Sequence, residues 1–100
     1  MNPTEELSLV SRLGRPEHQR QAFEELVRRY GPRLYRQIRR MVYDHDDTND
    51  ILQNTFVKAW SGLDSFRGDS RVGTWLYRIA ANEALNFLQR RKATTDIDEA

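Results

Sequence analysis

Arg71-Val72-Gly73-Thr74-Trp75-Leu76-Tyr77-Arg78-Ile79-Ala80-Ala81-Asn82-Glu83-Ala84-Leu85-Asn86-Phe87-Leu88 is the stretch that decides the fold class. Val72, Leu76, Ala80, Ala84, Phe87 and Leu88 recur every three or four residues, the period of one helical face and not of a strand. The spacing predicts an amphipathic helix from about Arg71 to Arg91 with that stripe buried. Arg90, Arg91 and Lys92 suit the negative end of its dipole.

Upstream, the same period recurs. Ile51, Leu52, Thr55, Phe56, Ala59 and Trp60 share one side of a helix whose other side carries Asp50, Gln53, Asn54, Val57 and Lys58. Asp47 and Asp50 resemble a capping box at its start. Phe23, Leu26, Val27 and Tyr30 form an earlier helical face, resumed by Leu34, Tyr35, Ile38, Met41 and Val42. Gly31-Pro32 between them is expected to kink or break the helix, because proline lacks an amide donor and crowds the preceding turn. Thr4 is the expected cap of a short first helix through Leu7, Val10 and Leu13, closed by Gly14. Gly62 to Gly73 is the one long irregular stretch, and no strand alternation occurs anywhere. The expectation is all-α: a compact bundle of about four to five helices with one long loop before the last.

One hundred residues make a single domain able to bury roughly two-thirds of its unfolded surface. The absence of cysteine excludes disulfides, zinc–thiolate sites, iron–sulfur clusters and thiol catalysis. Apolar runs reach only two or three residues, too short for a membrane span. No basic segment followed by an apolar one opens the chain, so a cytoplasmic protein without a secretory signal is expected. His18 and His45 lack a spaced set of partner ligands, so no metal is expected. No glycine-rich loop precedes a helix as a phosphate cradle requires. Asp44 to Asp50 lacks the glycine and the distal glutamate of a calcium loop. Neither a cofactor nor enzymatic activity is expected.

The net charge of +1 conceals strong segregation. Arg28 to Tyr43 holds six arginines and no acid, whereas Asp44 to Asp50 holds four aspartates and no lysine or arginine. From Phe66 to Lys92, six bases face only Asp69 and Glu83. Such segregation suits two partners of opposite sign, or two solvated surfaces. Trp75, Arg78, Ile79, Asn82 and Asn86 form a continuous arc beside the buried stripe. Two readings fit it. Trp75 and Ile79 extend the core while the polar residues are solvated, or the arc binds nucleic acid, with rings stacking on unpaired bases, arginine holding phosphate and an amide meeting a base edge. Phe66, Arg67 and Arg71 in the adjoining loop add another aromatic among bases.

Leu63-Asp64-Ser65-Phe66-Arg67-Gly68-Asp69-Ser70, followed by Thr74-Trp75-Leu76-Tyr77-Arg78-Ile79-Ala80 and Asn82, resembles the second conserved region of bacterial extracytoplasmic-function (ECF) sigma factors. Ala22-Phe23-Glu24-Glu25-Leu26, Arg29-Tyr30, Asp50-Ile51-Leu52-Gln53 and Phe56-Val57-Lys58-Ala59-Trp60 fit the same region in order, so the resemblance runs from about residue 5 to 92. It implies a domain over residues 1–92. Residues 93–100 would begin a linker to a second, promoter-reading domain beyond this chain.

The resemblance further implies docking of Asp50, Gln53, Asn54 and Val57 on the clamp helices of the RNA polymerase largest subunit. It implies binding of the single-stranded non-template −10 promoter element, with one base turned into a pocket. By position, Phe66 and Ile79, with Gly62 nearby, would wall the pocket, and Asn82 would read base edges. Lys58, Arg67, Arg71 and Arg78 would meet phosphates, and Trp75 would sit where the duplex opens. An inhibitory anti-sigma factor is also implied, and no membrane partner. Asn54 departs from the family's usual glutamate, which puts one charged polymerase contact in doubt. Two other functions compete. A helical module binding an acidic protein needs the arginines but not a base-sized aromatic pocket. A duplex reader of helix-turn-helix type needs a short turn where this chain has twelve residues, Gly62 to Gly73.

Overall fold

The computed structural model describes residues 1–66, 68 and 70–99, with side chains described through residue 92. Four α-helices, α1 (Pro3–Leu13), α2 (Pro16–Val42), α3 (His45–Ser61) and α4 (Val72–Glu99), pack around one core, with a 3-10 turn at Leu63–Ser65. No strand occurs among the described residues.

The cap of α1 is Asn2, two residues before the expected Thr4. The Asn2 side chain accepts from the Glu5 amide at 2.8 Å, and Pro3 takes the first turn, where a missing N–H costs nothing. α2 runs unbroken through Gly31-Pro32, so the break allowed for there does not occur. Its buried row, Ala22, Leu26, Tyr30, Leu34, Ile38 and Val42, continues past the proline without a change of phase. An interior proline costs about 3 kcal/mol. Burying Leu34 and Ile38 completely returns roughly 1.5–3 kcal/mol each, so packing wins. α2 ends at Tyr43, which takes a left-handed conformation (φ 63°) with its carbonyl accepting from the Arg39 guanidinium.

The cap of α3 also falls earlier than expected. Asp44, not Asp47, accepts from a backbone amide, that of Asp47 at 2.9 Å. Thr48 and Thr55 are fully buried because each hydroxyl donates back along the helix, to Asp44 O at 2.6 Å and Ile51 O at 2.8 Å. Phe23 of α2 sits edge-on against Phe56 and Trp60 of α3, with centroids 6.3 and 5.1 Å apart.

Val72, Leu76, Ala80 and Ala84 are buried as expected, between α2 and α3. Leu88 departs from the expected stripe and is 37% exposed, while Phe87 is half-buried. The helical backbone continues to Glu99 instead of stopping near Arg91. At its other end, α4 is capped from a distance: the Val72 amide donates to the Glu6 carboxylate of α1 at 2.9 Å. That contact fixes where the helix begins and satisfies one of its orphan donors. Next to it, Gly73 lies close against the Tyr30 ring, where a Cβ would stand 2.8 Å from Cε1. Burial pushes the Tyr30 hydroxyl above its ordinary range, Glu6 and Tyr77 adding to the effect while Arg33 and Arg29 oppose it.

Candidate nucleic-acid interface

The chain leaves α3 at Gly62, makes the 3-10 turn and passes Phe66 before α4 begins. Gly62 is tight: a Cβ there would stand 3.1 Å from the Lys58 carbonyl and 3.8 Å from the Trp75 ring. That close turn folds the loop onto the first two turns of α4. Between them lies a groove of about 220 Å³ lined by Lys58, Gly62, Ser65, Trp75, Ile79, Asn82 and Glu83. Drug-sized ligands fill pockets of roughly 300–1,000 Å³, so this groove suits a smaller group. Phe66 lies against Trp75, ring centroids 4.8 Å apart at 32°.

Five of the expected DNA-binding residues, Lys58, Gly62, Trp75, Ile79 and Asn82, therefore line one groove, and Phe66 joins them through Trp75. Trp75 and Ile79 pack on the core, as the first reading of the arc has it, and also line the groove. Arg71 and Arg78 are exposed beyond the lining. Arg67 lies outside the described residues.

Lys58 is not a free cation. Its ammonium lies 2.6 Å from the Glu83 carboxylate, which is 8% exposed. A buried carboxylate needs such a partner, because leaving one charge uncompensated inside costs several kcal/mol. Glu83 and Ser65 are the lining residues that sequence reasoning missed. The signal for Glu83 was an acid falling within the buried stripe of α4, where burial demands a counter-charge.

On α3, Asp50, Gln53, Asn54 and Val57 are all exposed and fall at the spacing of one helical strip. Val57, 63% exposed, puts an apolar group in the middle of that polar strip. The groove and this strip meet at Lys58, the residue after Val57.

Comparison with known proteins decides what this arrangement belongs to. A family model, Sigma-70 region 2, matches residues 26–94. The chain belongs to the sigma-70 region 2 family. This region 2 domain is 46% identical over 80 residues to the ECF RNA polymerase sigma-E factor of Escherichia coli K12, covering 77% of this chain and 41% of that protein. It is 43% identical over 83 residues to the RNA polymerase sigma-H factor of Pseudomonas aeruginosa, covering 83% of this chain and 42% of that protein. The chain thus spans about two-fifths of the length of these relatives. Its fold superposes with a TM-score of 0.77 on an NMR structure of an engineered region 2 of sigma-E in complex with GTAAAA. That likeness carries 35% sequence identity and covers 92% of this chain and 95% of the other. The ECF resemblance and the all-α expectation are borne out together.

Proposed function

We propose that this domain recognises and opens the −10 promoter element in the cytoplasm, by binding alone and without catalysis, while docked on the clamp helices of the RNA polymerase largest subunit. One observation carries the proposal: the Trp75–Ile79 groove is base-sized, walled by an aromatic and an aliphatic side chain, and floored beside the Asn82 amide. An unpaired base loses a few kcal/mol of stacking when it turns out, and an aromatic-lined pocket returns roughly 1–3. The likeness to a region 2 solved with GTAAAA supports the same ligand class here. Asn82 offers both donor and acceptor to a base edge. Phe66 and Gly62 wall the entrance, Arg67, Arg71 and Arg78 supply phosphate contacts, and Trp75 marks the point of duplex opening. Lys58 supports the groove through Glu83 and meets phosphate only if that pair opens.

The isolated domain is expected to bind single-stranded GTAAAA more tightly than the same sequence as duplex, since rings stack only on unpaired bases. With two or three phosphates neutralised, the salt slope is roughly −1.4 to −2, a roughly seven- to twenty-fold weakening between 50 and 200 mM. Phe66→Ala removes stacking but no charge, so it should abolish most of the single-strand preference and keep the slope. Fluorescence anisotropy across a salt series measures both. Equal binding to the two forms, unchanged by Phe66→Ala, rejects the base pocket and leaves a basic surface for an acidic protein.

Polymerase docking falls to the α3 strip of Asp50, Gln53, Asn54 and Val57. Its acidic start would steer a basic partner, and Val57 would give an apolar centre. Asp50→Arg with Gln53→Ala is expected to weaken capture by a clamp-helix fragment at least tenfold, at an unchanged melting temperature. Full retention in a pulldown removes the docking assignment. An anti-sigma factor would act by covering either surface.

A further inference from the structure

The Trp75 groove leaves the most basic face of the molecule without a role. Arg33, Arg36 and Arg40 lie on one side of α2 and line, with Gln37 and Tyr77, a depression of about 380 Å³. All three are exposed, and none forms an ion pair among the described residues. That separates them from Arg12, Arg20 and Arg29, whose guanidiniums already meet Glu25, Glu24 and Glu5. Gln37 donates to the Tyr77 carbonyl at 3.1 Å, which fixes the arginine row relative to α4. A second depression shares Arg33 and Tyr77 and continues past Thr74 to Arg71. That depression is also lined by Glu6, which lies 4.0 Å from the Arg71 guanidinium. The row of arginines without an ion pair among the described residues therefore runs from Arg40 to Arg33, and the depression joins it to a paired Arg71 at the start of α4.

This row and the base groove flank the same helix. Tyr77 is two residues from both Trp75 and Ile79, about 200° around α4 from each. We propose that the α2 arginine row is a second nucleic-acid contact, holding the phosphate backbone of the DNA duplex that adjoins the unpaired segment in the Trp75 groove. The inference rests on the proposed −10 reading and deepens it.

Spacing and composition select the ligand. From Arg33 to Arg40 the helix rises about 10 Å, a length of duplex axis along which one strand presents about three phosphates, one per roughly 3.4 Å of axis. Each guanidinium offers a planar fork that matches phosphate. The only ring in the row, Tyr77, is half-buried and already edge-on to Tyr30 at 6.4 Å, so bases find no stacking platform. Charge without stacking positions a backbone and reads no sequence. An acidic protein would also answer the charge, but continuity with Arg71 joins this row to the DNA site.

The test uses this chain and four labelled probes: single-stranded GTAAAA, the same segment overhanging a duplex of about 12 base pairs on its 5′ or its 3′ side, and the blunt duplex. One overhang probe is expected to bind at least about tenfold tighter than the bare single strand at 50 mM salt. The triple variant Arg33→Gln, Arg36→Gln, Arg40→Gln should lose that gain and lower the overhang salt slope by about 2–3, roughly one per phosphate contact. Its binding of the bare single strand should stay within about twofold, and circular dichroism checks its fold. No gain from either overhang, a gain kept by the triple variant, or equal losses on every probe each overturn the inference. Unchanged DNA binding with lost binding to polyglutamate reassigns the row to an acidic protein. Failure of the base pocket itself appears separately, as Phe66-independent binding of the single strand. The triple variant's effect on blunt duplex is still read in that case.

Discussion

Leu76→Ala is expected to destabilise the domain by about 2–5 kcal/mol, the range for truncating a fully buried leucine. Leu76 has no exposed surface and lies where α4 meets α2 and α3, so no single helix can move to close the cavity. For a chain of this length the loss lowers the melting temperature by at least about 8 °C. Ile79→Ala, three residues on, makes the informative control. Ile79 is half-buried and lines the groove, so its truncation should cost markedly less stability yet weaken single-strand binding. Chemical denaturation and anisotropy on the two variants separate the core of α4 from its binding face. A Leu76→Ala loss below about 1 kcal/mol would contradict the packing described.

Gly73→Ala should destabilise by about 1–3 kcal/mol, reversing the usual sign of the change. Inside a helix, replacing glycine by alanine normally gains up to about 1 kcal/mol. Here the added Cβ would stand 2.8 Å from Cε1 of Tyr30 and 3.3 Å from its Cζ and hydroxyl oxygen. The Tyr30 ring is 7% exposed and edge-on to Tyr77, so it has little room to retreat, and overpacking of this kind costs about 1–3 kcal/mol. The strain falls at the first turn of α4, next to Arg71 and Trp75, so DNA binding should weaken as well. Tyr30→Leu in the same chain should recover part of the stability, because it removes the atoms that collide. A Gly73→Ala variant at least as stable as the parent would mean that the two helices do not approach as closely as described.

Both variants sit on α4, whose buried stripe was legible from spacing alone. Val72, Leu76, Ala80 and Ala84 are four residues apart, and that period fixes a face whatever lies opposite. The α3 strip and the Trp75–Ile79–Asn82 arc could be read in the same way, since each belongs to a single helix. The ligand proposed for the arc came from the family resemblance and not from periodicity.

Contacts between residues distant in sequence were not legible. Pro32 argued locally for a kink or a break, but the apolar residues beyond it found a shared core and α2 continues as one helix. Leu88 matched the stripe by period, yet it stays partly exposed. Lys58, expected to meet phosphate, lies 2.6 Å from Glu83, 25 residues on. The start of α4 depends on Glu6, 66 residues away from the amide it accepts from. Helical periodicity is a property of neighbours along the chain, so sequence carries it openly. Which charge neutralises which, and which carboxylate caps which helix, depends on distances that exist only once the helices have packed.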